Sequence, residues 1–425
     1  MGLLSKIAVD ITPLRISRDY RLLFFGQLIS FFGTMMTFIV VPVQMYQITG
    51  SSLHVGMLGA AEFVPMFFMA FWGGALADSV DRRRILRITE IGLTLTTGIL
   101  LLNALLPNPQ FWVLYVAVGI HAGFAGLQRP SFEALIPKLV PAKHMAAVAS
   151  LNFLRFEVGF IGAPILGGFI IAGYGAAAAY AIDTLTFAAS LVAVFMISRV
   201  PVPKGARKAG LRSIVDGFSY AVNRQELLGT YVVDMVAMFF GMPKALFPAL
   251  AYSFGAGASV GFYYAAIAVG ALVATFTSGW TRVINRHGLM VVFAACGWGL
   301  GIVFFGLAES FYLGLFFLGV AGFSDTISGV FRQTIWNQTV PDRFRGRLAG
   351  IEMISFMSGP LLADVESGVV AYFTNPKISI VSGGVLAVLG VILCALILPG
   401  FVRYDGREGI KIKELEDAEA ERSSE

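Results

Sequence analysis

With 425 residues, 57% of them hydrophobic, only 13% charged and a mean hydropathy of +0.77, the chain cannot fold as a soluble core inside a charged shell, so a bilayer must cover much of its surface. The formal net charge of +5 is spread over short segments between apolar runs, which suits loops facing anionic headgroups and implies no nucleic-acid partner. Cys296 and Cys394 lie inside apolar runs without metal or redox spacing and read as small hydrophobes.

Residues 1–21 form a basic amphipathic lead carrying Lys6, Arg15, Arg18 and Arg21. The apolar run behind it is longer than a signal h-region and has no A-x-A site, so it is read as a retained first helix. At about 20 apolar residues per span, the pattern predicts twelve helices, at 22–45, 54–77, 85–106, 111–132, 147–171, 177–198, 227–251, 258–280, 288–308, 311–334, 349–372 and 378–401. Residues 22–198 then form one six-helix bundle and 227–401 a second. The hydrophilic stretch 199–226 between them reads as a cytoplasmic linker ending in a short amphipathic helix, and 402–425 as a charged, solvated cytoplasmic tail.

Lys and Arg cluster in alternate gaps, at Lys6 to Arg21, Arg82 to Arg87, Lys138 to Lys143, Arg199 to Arg224, Arg282 to Arg286, Arg343 to Arg347 and Arg403 to Lys413. The opposite gaps hold a single one, Lys377. This bias orients the chain with both termini in the cytoplasm and an even number of spans. The two halves also echo each other: a stretch opening GFAG at Gly123 resembles one opening GFSD at Gly322, with Pro141 and Pro341 in matching Val-Pro pairs. A parallel repeat of six spans implies two bundles related by an axis along the membrane normal, a substrate cavity near mid-bilayer, and rocking as the access mechanism.

Between the second and third helices runs GGALADSVDRRRIL, from Gly73 to Leu86. It resembles the signature loop of the major facilitator superfamily, which implies that superfamily's all-α membrane fold of twelve transmembrane helices in two six-helix bundles. The resemblance makes Gly74 a close helix contact, Asp78 the loop acid, and Arg82 and Arg83 the basic pair; Asp81 stands where the family more often has glycine. Asp78 is expected against the positive end of the eleventh helix near Arg347 to Gly350, with Arg82 or Arg83 reaching Glu133, a latch for the outward-facing state. The alternative is that the arginines serve only as positive-inside anchors.

The fifth helix carries GFIGAPILGG, in which Gly159, Gly162, Pro164 and Gly168 resemble the glycine-proline motif of the superfamily's exporters. The glycines admit a neighbouring helix and the proline removes a backbone donor and bends the span; ordinary small-residue packing accounts for the glycines but not for the ordered match to that motif. Across nearly the whole chain, VVPVQMYQITGSSLHVGMLG, LLNALLPNP, FPALA, GFYYAAIAVGALVATFTSGW and QTVPDRFRGRLAG are similar to the enterobactin exporter subgroup, with macrolide efflux pumps as more distant relatives.

An ionisable side chain inside a bilayer costs roughly 2.5–3.5 kcal/mol on insertion scales, so each needs a partner or a task. The candidates are Glu62, Asp183, Asp234, Asp325, Asp364 and Glu366, with Arg155 and Glu157 on the fifth helix. Asp325, Asp234 and Glu62, in that order, and then Asp183 are the proton-coupling candidates. In the alternative reading, Asp183 and Asp234 cap or bond neighbouring helices, and Asp364 and Glu366 face water near the outer mouth. Asp325 and Arg332 lie two turns apart, and no direct bridge is expected over about 10 Å of helix. Arg155 and Glu157 point to different faces. The cavity positions implied by the superfamily add Gln27, Phe31, Phe32, Met238, Phe239 and Phe240 to Arg155, Glu157 and Asp364.

No nucleotide loop, metal cluster or nucleophile elbow is present in the sequence, so no enzyme and no cofactor is expected, and energy must come from an ion gradient. The expected protein is a monomeric inner-membrane exporter of bacteria that exchanges protons for a siderophore or similar amphiphilic small molecule by alternating access. The alternatives are a multidrug or macrolide pump of the same fold and, further off, an importer or a transporter-like sensor.

Overall fold

The computed structural model describes residues 10–79, 81–198, 219–253, 260–341, 345–407 and 409–411, without the side chains of 70–79, 130, 134, 345–347 and 349–356. Every regular element among the described residues is a helix, and the described part of each of the twelve predicted spans overlaps a helical segment. The first helix is Arg18–Thr49, the second Ser52–Ser79, the third Arg82–Ala104 and the fourth Phe111–Leu139. The ninth to twelfth are His287–Leu307, Phe311–Thr339, Arg345–Phe373 and Pro376–Ile397. Several outlast the apolar run that predicted them, because polar caps rather than hydrophobicity set their ends. Ser17 accepts from the Tyr20 amide, Asp81 from that of Arg83 and Asn375 from that of Ile378. At the far end of the first helix Gly50 turns left-handed (φ 62°), which ends the helix at no Cβ cost.

Two regions differ from the expected plain spans. The fifth and sixth spans form one helical stretch made of Met145–Glu157, a π-turn at Val158–Gly162 and Ala163–Met196, interrupted at Gly175 (φ 77°). The seventh span, expected unbroken over 227–251, is helical over Gln225–Gly241, leaves the helix at Met242, makes a 3₁₀ turn at Lys244–Leu246 and resumes at Phe247–Ser253. Pro243 causes that break: it has no amide hydrogen and excludes its predecessor from the helical region. The eighth helix, Val260–Thr277, ends in a 3₁₀ segment, Ser278–Val283.

By contacts the chain divides into two compact units. The first comprises Met1–His54, Ala60–Lys208 and Ala251–Ala265. Its helices meet through small residues: a Cβ on Gly26 would lie 3.1 Å from Ala193, and one on Gly92 would enter the ring of Phe124. A cluster including Tyr20, Leu86, Phe132, Leu151 and Val194 closes its core. Tyr252 also belongs here, stacked on Tyr46 at 5.7 Å and accepting a 2.6 Å hydrogen bond from Gln47.

The second unit comprises Val55–Gly59, Ala209–Leu250 and Ala266–Glu425. The ninth helix packs on the tenth and twelfth, and the seventh on the eleventh and twelfth. Gly301 lies against Ala321 and Gly299 against Gly384. Of the predicted linker, residues 199–218 lie outside the described residues. Its end, Tyr220 and Ala221, packs on Leu227, Trp336 and Val340. Outside the bilayer, Asp405 accepts from the side chain and amide of Arg407, which holds its carboxyl down at about 2. Large apolar side chains stand exposed on both units, among them Leu102, Leu185, Phe276 and Leu396, as lipid-facing surfaces require.

Candidate functional site

The charged side chains inside the helices gather into separate polar centres. In the second unit, the seventh helix supplies Asp234 and the tenth supplies Asp325 and Arg332. The Arg332 guanidinium forms an ion pair with Asp234 through Nη1, and its Nη2 stands 3.5 Å from Asp325 Oδ1. The bridge not expected from the helical rise therefore exists. A rise counts backbone, whereas a long helical side chain leans toward the N-terminus and reaches back over two turns. Asp234 is 7% exposed, Arg332 17% and Asp325 36%, so the cluster runs from an enclosed acid to an open one.

The break in the seventh span builds a further contact. The free amide of Ala245 donates to Asp364 Oδ1 at 3.0 Å, so Asp364 caps the resumed segment rather than only facing water. The neighbouring Lys244 is buried, a membrane cation that sequence reading passed over because it lies inside an apolar run. Met238 is enclosed beside Gly359, while Phe239 and Phe240 meet edge to face at 4.8 Å.

In the first unit Glu90 on the third helix has no exposure. Sequence reading missed it, although two polar amides in apolar spans, Gln27 and Gln128, were signals for a buried partner. Gln27 Nε2 donates to Glu90 Oε1 at 2.6 Å and Gln128 Nε2 donates to the same oxygen at 2.9 Å. The buried Ser190 hydroxyl lies against the same carboxyl. Gln27, expected as a polar contact of the cavity, donates to Glu90. Asp183 on the sixth helix is equally enclosed and accepts from Thr37 at 2.5 Å and Thr186 at 3.3 Å. A Cβ on Gly33 would strike both Asp183 and Thr186, so this glycine seats the first helix on the acid.

The fifth helix presents Arg155, 6% exposed, to three aromatic faces: Phe156 at 4.8 Å, Phe132 at 4.9 Å and Phe31 at 5.7 Å. Each face is worth roughly 0.5–2 kcal/mol, while an enclosed ion costs several kcal/mol or so. The rings offset only part of that cost. The motif glycines lie alongside: a Cβ on Gly159 would enter the Phe31 ring, and one on Gly162 would stand 3.2 Å from Phe32. Pro164 and Gly168 are buried just beyond the π-turn, and the Pro164 carbonyl faces Gly261. Gly159→Ala is expected to destabilise by about 1–3 kcal/mol, because Phe31 is wedged between Phe156 and Phe160. Gly98→Ala, where nothing lies within 4 Å, serves as the silent control in thermal unfolding of the detergent-solubilised protein.

The expected latch falls largely outside the described residues. The side chains of Gly74 and Asp78, and most of Arg347 to Gly350, lie outside the described residues. Arg83 donates to the Phe195 carbonyl at 2.7 Å, and Glu133 pairs with Arg129 at 3.4 Å, 65% exposed. Glu62, Glu157 and Glu366 are half-buried. Arg82 stands at the start of the third helix, directly after its capping Asp81. Among the described residues no three His, Cys, Asp or Glu side chains gather in a metal-binding group.

A family whose members are described as transmembrane secretion effectors matches residues 8–409. The chain is 28% identical over 403 residues to the enterobactin exporter EntS of Shigella boydii serotype 18, covering 92% of this chain and 94% of that protein. It is 28% identical over 396 residues to the EntS of Citrobacter koseri, with the same coverage. Among solved structures, it resembles a bacterial homologue of the iron transporter ferroportin in an inward-facing state, with a TM-score of 0.69, 14% identity and coverage of 91% of this chain and 98% of that one. It also resembles a bacterial homologue of the lysosomal transporter Spinster, with a TM-score of 0.67, 14% identity and coverage of 95% and 99%. These likenesses show the major facilitator fold.

Proposed function

We propose that this chain, which belongs to the transmembrane secretion effector family of the major facilitator superfamily, exports a siderophore or a comparable amphiphilic small molecule from the bacterial cytoplasm in exchange for protons. Both termini then lie inside, as the distribution of Lys and Arg requires. Relatives named as enterobactin exporters over almost the whole length support the cargo class.

The observation that carries proton coupling is the sharing of Arg332 between Asp234 and Asp325. Two carboxylates and one guanidinium sum to one negative charge, and a single proton makes the cluster neutral. A net charge in a low-dielectric bundle is unfavourable, so proton occupancy and enclosure of the cluster are linked. Asp325, the more open acid, takes the proton from water, and Arg332 then closes on Asp234 alone. Alternating access follows if the cluster is enclosed in its neutral form and opens when the proton leaves. Glu62 and Asp183 remain further coupling candidates, with Asp183 held by two threonines as a bonded structural acid.

The test uses everted membrane vesicles with an imposed proton gradient. Addition of enterobactin is expected to dissipate the gradient in the wild type, with the response at least ten-fold weaker in Asp325→Asn. An equal response to macrolides reassigns the cargo to multidrug efflux. A response that survives Asp325→Asn unchanged removes the cluster from coupling.

A further inference from the structure

We propose that Arg155 is the docking point for an anionic group on the transported molecule, and that this carrier therefore selects acidic aryl amphiphiles over neutral ones. The proposal rests on the export reading and names the chemistry of its cargo. Arg155 is 6% exposed, and none of its nitrogens has an ion-pair or hydrogen-bond partner among the described residues. The two nearest acids in sequence are otherwise placed. Glu133 lies on the fourth helix against Arg129 and is 65% exposed, and Glu157 leaves the fifth helix on a different face.

The surroundings define the ligand. Phe31, Phe132 and Phe156 surround the guanidinium, and Phe160 extends the aromatic wall, 6.2 Å from Phe156. Of the guanidinium nitrogens only Nε is fully enclosed without a partner, so the forked Nη edge is the one an anion approaches. That fork matches a carboxylate or a similar oxyanion in two parallel hydrogen bonds. The Tyr20 hydroxyl, also enclosed and unpaired, lies within electrostatic range of Arg155 and offers a further donor. An aryl group attached to the anion would meet ring faces, while a neutral ligand would leave the cation with only the exposed Glu133 as counter-charge.

The test is equilibrium binding of 1-naphthoate and of its neutral isostere 1-naphthamide to the full-length protein in phosphatidylcholine nanodiscs, by calorimetry and without any gradient. Naphthoate is expected to bind the wild type at least ten-fold more tightly than naphthamide. Arg155→Gln should raise the naphthoate Kd at least ten-fold and leave that of naphthamide unchanged, and Arg155→Lys should keep part of the preference. Equal affinities in the wild type, undetectable binding of both probes, or a preference surviving Arg155→Gln overturns the proposal. Loss of naphthoate binding on changing to phosphatidylglycerol assigns the guanidinium to a lipid headgroup and overturns it for cargo. Because the wild-type comparison needs no variant, a misfolded Arg155→Gln leaves the test intact. Since no proton gradient enters, failure of proton coupling does not affect the result.

Discussion

Arg332→Met is expected to abolish transport and to lower stability by about 3–5 kcal/mol, the cost of stripping one partner from an enclosed ion pair. The figure belongs to Asp234, whose side chain is 7% exposed; Asp325, 36% exposed, is screened and adds little. In a bilayer no hydrophobic force holds the seventh helix to the tenth, so the tie through Arg332 carries weight that a core would otherwise supply. Methionine fills the space but leaves two acids facing each other without a cation. Arg332→Lys should recover part of the stability and little of the transport, because an ammonium is a point charge and cannot fork between two carboxylates. The double variant Asp234→Asn/Arg332→Met should regain stability relative to Arg332→Met while remaining inactive, since it removes the unpaired charge but not the need for the switch. Unfolding is conveniently followed by a thiol-reactive dye, because the chain has two cysteines, both free, and Cys394 is buried. An Arg332→Met protein as stable as the wild type would mean that the three side chains do not act as one cluster.

The spans were legible because a bilayer imposes a single rule, about 20 apolar residues per crossing, and that rule is written locally. What it could not place were the interruptions: Pro243 announces a break in principle, yet only the structure turns the freed Ala245 amide onto Asp364. The individual acids were legible for the same local reason, since a carboxylate in an apolar run stands out. Their partners were not. Backbone distance alone argues against Arg332 as a partner of Asp325, and its link to Asp234 joins helices nearly a hundred positions apart in sequence. Arg155 was visible as an intramembrane cation, but nothing local says that its three neighbours would be rings from the first, fourth and fifth helices. Glu90 was hidden by its own neighbourhood: it follows a basic cluster, where an acid reads as an interfacial residue rather than an enclosed one.

That hidden acid gives the second large effect. Glu90→Ala is expected to destabilise the protein by about 2–5 kcal/mol, summing a cavity with the loss of the acceptor for two amide groups. Glu90→Gln, the same size with an oxygen still available to Gln27 and Gln128, should cost less than about 1 kcal/mol, since only the charge is lost. The contrast separates the two roles of this carboxyl: Ala removes both acceptor and charge, while Gln removes charge alone. Thermal unfolding of the two variants side by side reads the acceptor role, and gradient dissipation in vesicles reads the charge. Equal destabilisation by Ala and Gln would show that charge, not hydrogen bonding, holds the centre, and Glu90 would then join Asp325 as a candidate proton carrier. If instead Gln is stable and transports normally, Glu90 is a structural acceptor joining the first, third and fourth helices. Proton coupling would then rest on the acids of the second unit, where a cation is present to exchange partners.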